Sequence, residues 1–335
     1  MIIFDQKNRV FTLHTQNTTY QMKADQYHVL VHTYYGPRVD GYDFSGLIQC
    51  ADRSFSPNPN EAGSSREYSL DVMPQEYSTC GVGDFRLPSL ELELPNGSHT
   101  ADLRYVGYRL EKGKYSLPGL PAFYDTGERA ETLVVMLEDL AARVTVELYY
   151  GVFEDFDVIT RAVQVVNRGE ETVRLCRCAS LCLDFNRSDL DFVTFNGHHL
   201  MERCMDRGPL RPGVQSVGST RGTSSHQHNP FVILCDRDAD EESGVCYGAM
   251  LLYSGNFQAE AESSQYESSR LVMGIHPYHF CFELAPGDAF TAPEAAMVCS
   301  PRGFGQMSRQ YHRAVRKHLL RDPHEGRRKP VLVNS

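Results

Sequence analysis

Three aspartates crowd one short stretch, Asp184-Phe185-Asn186-Arg187-Ser188-Asp189-Leu190-Asp191. Two carboxyls set about 5 to 9.5 Å apart across a sugar are what glycoside hydrolysis requires, so this stretch is the first place to look for chemistry. Nothing in the spacing makes the three face one another, and a polar turn after a strand is the plainer reading. His226 and His228 form an H-x-H pair, which on a strand would point both rings to one side, as a metal site needs. No third ligand is marked, so a role in organising the loop or rimming a site fits better. His226 and Glu294 are available as a mutarotase-like acid/base pair, but no spacing links them. Ten cysteines are present and none forms C-x-x-C, which speaks against a zinc knuckle or a thioredoxin motif. Cys176, Cys178 and Cys182 lie at even spacing in a strand-like run, which predicts one shared face of small buried thiols. There is no G-x-S-x-G elbow and no P-loop, and Gly81-Val82-Gly83 lacks the third glycine of a dinucleotide fingerprint.

The elements that must position these groups are strands. Period-two alternation runs through Val10–Thr15, a polar turn at Gln16-Asn17-Thr18, then Thr19–Met22 and Tyr27–Tyr35. Val144–Tyr150 leads to Val158–Val166, and Asn167-Arg168-Gly169-Glu170 has the residues of a tight turn before Thr172–Cys178. This predicts a hairpin within an antiparallel meander. Further strands are predicted over Phe231–Cys235, Cys246–Tyr253, Arg270–Met273 and Phe280–Leu284. One helix is predicted, Gln306–Leu320, with Arg316, Lys317 and Arg321 at its end suiting the helix dipole. Residues 52–66 and 208–230, rich in Gly and Pro, read as long loops, and loops of that length in a compact domain tend to be functional.

Composition narrows the function. Hydrophobic residues make up 41% of the 335-residue chain, enough for one large all-β core. The net charge of −10 makes nucleic acid a poor partner, because phosphate binding needs a clustered basic surface. The one basic run, Arg327-Arg328-Lys329, sits at the C-terminus. No stretch approaches the roughly 20 apolar residues of a membrane span. The start, Met1-Ile2-Ile3-Phe4-Asp5, lacks the features of a signal peptide, which points to the cytoplasm and away from a membrane. Tryptophan, a common stacking platform for sugars, is absent.

A series of motifs carries a resemblance. Asp52-Arg53-Ser54-Phe55-Ser56-Pro57-Asn58-Pro59 is followed by Tyr68-Ser69-Leu70-Asp71, Pro74-Gln75-Glu76-Tyr77 and Gly83-Asp84-Phe85-Arg86. Then come Asp102-Leu103-Arg104-Tyr105, Gly119-Leu120-Pro121-Ala122, Arg221-Gly222-Thr223-Ser224-Ser225-His226-Gln227, Tyr253-Ser254-Gly255-Asn256-Phe257, Met273-Gly274-Ile275-His276-Pro277 and Pro293-Glu294. In this order they resemble the N-terminal region of bacterial family 36 α-galactosidases. The resemblance implies an all-β fold, a large antiparallel β-supersandwich like that of galactose mutarotase, with a short C-terminal helix. It implies a domain over residues 1–321 and a linker over 322–335 toward a (β/α)8 barrel. In the family that barrel supplies two aspartates for retaining hydrolysis of α-galactosides of the melibiose and raffinose type. On this reading the chain, ending at Ser335, lies before the catalytic residues, carries none itself, and needs no cofactor and no metal.

The resemblance also implies a homotetramer in which the loop at residues 52–66 reaches a neighbouring subunit's active site. Asp52 and Arg66 match the two positions that approach the sugar, where a carboxylate and a guanidinium suit hydroxyl partners. The alternative for these two is mutual pairing that orders the loop. A different class of function, a free-standing galactoside-binding β-sandwich module, would use the loops at 52–66 and 208–230 as a cleft.

Overall fold

The structure is a computed structural model, and it describes the chain apart from residues 49, 51, 53–58, 126, 128, 225, 322–327, 329 and 334–335. Most of the expected linker, and the motif residues Arg53 to Asn58, thus lie outside the described residues. The strands follow in order as β1 Ile2–Asp5, β2 Val10–His14, β3 Thr18–Ala24, β4 Leu30–Pro37, β5 Leu90–Glu93, β6 Arg104–Lys112 and β7 Glu131–Asp139. Next come β8 Val144–Phe153, β9 Val158–Asn167, β10 Val173–Phe185, β11 Leu190–His198, β12 Met201–Pro209, β13 Gly213–Ser219 and β14 Phe231–Asp236. The series closes with β15 Cys246–Leu251, β16 Phe257–Ser263, β17 Ser269–Ile275, β18 Phe282–Leu284, β19 Ala289–Thr291, β20 Ala295–Ser300 and the helix α1 Gly303–His318.

These strands form three antiparallel sheets. A 10-stranded sheet runs β12-β11-β14-β15-β20-β9-β8-β7-β6, with β19 beside β9. A 6-stranded sheet runs β13-β16-β17-β10-β18, with β5 beside β10, and β1 to β4 make a 4-stranded meander. Inward residues of the large sheet (Leu133, Val146, Leu148, Ile159, Val163) meet Leu175, Leu181, Leu271 and Met273 of the second sheet and Phe11, Leu13 and Met22 of the meander. Each such side chain, fully buried, contributes roughly 1.5–3 kcal/mol. The expected all-β sandwich is therefore what the chain forms, with the N-terminal meander as a third layer on the same core.

Helix α1 covers the opposite face of the large sheet, burying Met307, Tyr311 and Ala314 against Val158, Ile233, Ala296 and Val298. Covered on both sides, β20 reads as the unbroken apolar run Ala295-Ala296-Met297-Val298-Cys299 rather than an alternation, which is why periodicity missed it. The Tyr311 hydroxyl donates to the carbonyls of Gly248 (2.8 Å) and Ala296 (3.0 Å). Gly303 opens the helix at φ 66°, a left-handed conformation that favours glycine. Arg316, Lys317 and His318 end it, as the dipole argument predicts.

Three expectations are corrected. The stretch Asn167–Glu170 does not close a hairpin: β9 pairs with β8, β20 and β19, while β10 pairs with β5, β17 and β18. It is an arch between sheets. Asn167 holds it, its Nδ2 donating to the carbonyls of Glu171 and Leu284 (2.8 Å each) and its Oδ1 accepting from the Gly169 amide (2.8 Å). Alternation and turn residues are the same for a hairpin and an arch; only the occupancy of the strand's edges tells them apart. Residues 208–230 are not a continuous loop, since β13 lies within them and pairs along its length with β16. The three cysteines of β10 do not share an environment. Register shifts at 175/177 and 179/181 interrupt the alternation, leaving Cys176 half-buried and Cys178 and Cys182 buried.

The turn between β2 and β3 is tied to the helix through one carboxylate. Asp157 accepts from Thr15 Oγ1 (2.8 Å), the Asn17 amide (2.7 Å), Asn17 Nδ2 (2.7 Å) and Gln310 Nε2 (2.8 Å). Losing it strands the buried donors of Thr15 and Gln310, so Asp157→Ala should lower the unfolding free energy by about 2–3 kcal/mol. Urea denaturation read by circular dichroism tests this, and an unchanged midpoint would refute it.

Candidate functional site

The connection from β4 to β5, residues 38–89, has little regular structure, only short 3-10 turns at Phe44–Leu47 and Asn60–Ala62 among its described residues. Such a segment needs anchors beyond main-chain ladders, and two buried polar clusters supply them. In the first, Arg270 Nε and Nη2 donate to Asp184 Oδ1 and Oδ2 (2.6 and 2.7 Å), and Nη2 also lies 2.8 Å from Asp84 Oδ2. Arg86 Nε donates to Asp84 Oδ1 (2.9 Å). Other guanidinium donors bind main chain: Arg86 Nη2 reaches the carbonyls of Leu70 and Met73 (2.8 Å each), and Arg270 Nη1 that of Leu87 (2.9 Å), while Arg86 Nη1 lies 3.5 Å from Asp184 Oδ2. The Gln75 amide donates to Asp184 Oδ2 (2.8 Å).

In the second cluster Glu76 is fully buried. It accepts from Tyr20 (2.5 Å) and Tyr150 (2.6 Å), faces His32 Nδ1 at 3.1 Å, and lies 3.1 Å from Arg161 Nη1. Burial alone would raise the carboxyls of Glu76 and Asp184, but the neighbouring guanidiniums, Arg161 for the first and Arg270 with Arg86 for the second, outweigh it and hold both below the ordinary carboxylate range. The motif residues Gln75, Glu76, Tyr77, Asp84 and Arg86 are therefore scaffold. Phe85, between two buried charges, is 74% exposed.

The loop at 52–66 leaves this anchored base. Tyr68 donates to Asp25 Oδ2 (2.5 Å) at its foot. Arg104, fixed by Asp102 (2.7 and 3.0 Å), lies 3.7 Å from Glu61. Asp52 and Arg66 stand on it facing solvent, their side chains 57% and 56% exposed, with Arg66 Nε donating to Asp52 Oδ1 at 2.9 Å. The mutual pairing expected as the alternative is what the single chain shows. An exposed pair of this kind is worth about 0–1 kcal/mol, so both groups are available to a hydroxylated ligand at little cost.

The other sequence candidates are not brought together. Asp184, Asp189 and Asp191 each engage a different arginine: Arg270, Arg187 (2.6 Å) and Arg207 (2.7 Å). Asp184 lies within β10, not in a turn. His228 Nδ1 faces Asn196 Oδ1 at 2.8 Å. Glu294 is buried, 2.5 Å from Lys114 Nζ and accepting from the Phe123 amide (2.7 Å), with no histidine among these partners. Burial pushes Lys114 down to about 8 against the pull of Glu294. That pair clamps residues 114–123 to β20's approach. Among the described residues no three His, Cys, Asp or Glu side chains are grouped to hold a metal ion, and no helix is long and apolar enough to cross a membrane.

Sequence reasoning missed Arg161 and Arg270, both fully buried. The signal was there: Arg161 shares its strand phase with Ile159, Val163 and Val165, so a charge sat at an inward position.

Residues 28–285 match the glycosyl hydrolase family 36 N-terminal domain. The chain belongs to this family. It is similar to the bifunctional α-galactosidase/sucrose kinase AgaSK of Mediterraneibacter gnavus, 43% identical over 100% of this chain but 36% of that protein. It is likewise 40% identical to α-galactosidase AgaA of Geobacillus stearothermophilus, again over 100% of this chain and 46% of that one. The solved galactosidase domain of AgaSK superposes with a TM-score of 0.96 at 42% identity, covering 99% of this chain and 46% of that one. The chain thus spans less than half the length of these relatives, and its sandwich is the family 36 N-terminal fold.

Removing one partner from a buried charge set leaves the others uncompensated, so Arg270→Met in this family 36 domain should cost about 3–5 kcal/mol; a loss under about 1 kcal/mol in urea titration would contradict the anchoring role. Because Asp184 and Glu76 have depressed folded-state values, their contribution is complete above about pH 5, begins to fall in the ordinary carboxylate range and drains away as pH drops on through their lower folded values. The urea midpoint should therefore stay level and then fall on acidification, and a rise would show the sign to be wrong.

Proposed function

We propose that this chain is the N-terminal part of an α-galactosidase that hydrolyses terminal α-galactosyl residues of melibiose- and raffinose-type oligosaccharides with retention of configuration. A barrel domain of the same protein would supply the nucleophile and the acid/base. The sandwich buttresses that barrel, takes part in a cytoplasmic homotetramer, and lends Asp52 and Arg66 to a neighbouring subunit's site. The observation that carries this reading is the combination of family membership with an exposed carboxylate–guanidinium pair on a loop whose base is fixed by buried charges. The G. stearothermophilus relative AgaA has been solved, as a variant, in complex with raffinose, which supports the choice of substrate class.

The test uses the chain joined to its catalytic portion. Asp52→Ala and Arg66→Ala should raise KM for melibiose and lower kcat/KM about tenfold or more, a loss of roughly 1.4 kcal/mol of binding, while the unfolding midpoint stays within the small range of an exposed pair. Unchanged kinetics would remove these residues from the site. The chain by itself should release no nitrophenol from p-nitrophenyl α-galactoside, and release by a pure sample would place chemistry within it. Calorimetric binding of raffinose by the isolated chain at millimolar strength or better would favour a sugar-binding module instead.

A further inference from the structure

Two cysteines far along the chain from the loop carry an inference that family membership does not supply. At the start of β10 the register with β18 is Val173 to Leu284, Arg174 to Glu283 and Leu175 to Phe282. Cys176 follows Leu175 directly and Cys281 precedes Phe282 directly, so the two cysteines flank the last pair of this ladder at the bulge that begins after Leu175. Within the ladder Arg174 and Glu283 face each other with Nε and Oε1 3.5 Å apart. Cys176 is half-buried and Cys281 exposed. Burial raises the Cys176 thiol, and of the charged neighbours that add to this Cys281 has the greatest influence.

Directly opposed residues of an antiparallel pair have Cβ atoms about 4.5–5.5 Å apart, and a disulfide needs about 3.5–4.5 Å. Any closing movement falls to the Cys281 side, where β18 is only three residues long and the preceding turn carries His279 at φ 57°. Other pairings are less open to reagents. Cys235 and Cys246 are register partners too, but both are fully buried.

We propose that Cys176 and Cys281 form a reversible disulfide on contact with low-molecular-weight disulfides, tying the β17–β18 turn to β10. The exposed Cys281 thiolate attacks one sulfur of oxidised glutathione and releases a first glutathione thiolate. Cys176, once deprotonated, attacks the Cys281 sulfur of the mixed disulfide and expels the second. Two protein thiols become one disulfide, one glutathione disulfide becomes two glutathione molecules, and the leaving thiolates take up the two protons. The raised Cys176 makes the second step slow and faster at higher pH. The link would fix residues 276–281, which present the 61% exposed Tyr278.

The reduced chain is incubated with oxidised glutathione, digested without reduction and mapped by mass spectrometry beside a thiol titration. The expected result is one cross-linked peptide joining Cys176 to Cys281, the loss of the free-thiol peptides of these two residues, and faster closure at about pH 8.5 than at about pH 7. Cys176→Ser should trap glutathione on Cys281, and Cys281→Ser, a surface change, should abolish the link. A lasting glutathione adduct on Cys281 of the unsubstituted chain, a link between two chains, or no reaction would each overturn the proposal.

Discussion

Two arginines and two aspartates, Arg86, Arg270, Asp84 and Asp184, sit almost wholly out of water. Each charge taken into such a place costs several kcal/mol, and only close geometry with every donor satisfied offsets that cost. The set is neutral as a whole, and its spare donors end on the carbonyls of Leu70, Met73 and Leu87. Those carbonyls belong to the irregular connection between β4 and β5. An apolar core would hold that segment loosely in any of several packings; bidentate charge pairs hold it in one. The loop at 52–66 springs from the connection that these charges fix.

The same constraint explains the topology around it. Asp184 and Arg270 face each other on the paired strands β10 and β17, so the second sheet supplies both halves of the pair that holds the connection. Strand β10 reaches that sheet only because Asn167 turns the chain across the sandwich instead of back along β9. Glu76 then bridges the layers, bonding Tyr20 of the meander and Tyr150 of the large sheet at once. Three sheets and one irregular segment thus converge on Asp184 and Glu76, and next to Glu76 the Tyr77 hydroxyl donates to the Ala179 carbonyl at 3.0 Å.

Alternation over residues 144–166 and the apolar face of 303–318 made the strands and the helix legible, because half-buried elements write their period into the sequence. Pairing was not legible, since a strand's period does not name its partner. That is how the arch at Asn167–Glu170 passed for a hairpin, and how β13, exposed along much of one face, passed for loop. The bulges in β10 defeated the even spacing of its cysteines for a related reason: one inserted residue inverts the phase. As for the site, Asp52 and Arg66 came from resemblance rather than from pattern. The buried Arg161 was visible in principle, being a charge in the phase of Ile159 and Val163.

The motifs that mark this family need not mark its chemistry. Gln75, Glu76, Asp84 and Arg86 are the kind of polar residues a search for catalysis would select, yet each is spent on a neighbour inside the sandwich. A buried carboxylate held below its ordinary value by an arginine, as Glu76 and Asp184 are, stays charged near neutrality, which suits an anchor. Only groups that keep both exposure and a weak partner can change partners. Asp52 and Arg66 meet that condition: more than half of each side chain faces water, and what binds them to each other is an ion pair of at most about 1 kcal/mol, less than a few charge-assisted hydrogen bonds to sugar hydroxyls would return. The division of labour follows from dielectric alone. Charges that specify the fold lie where water cannot compete, and those free to meet a ligand lie where it can.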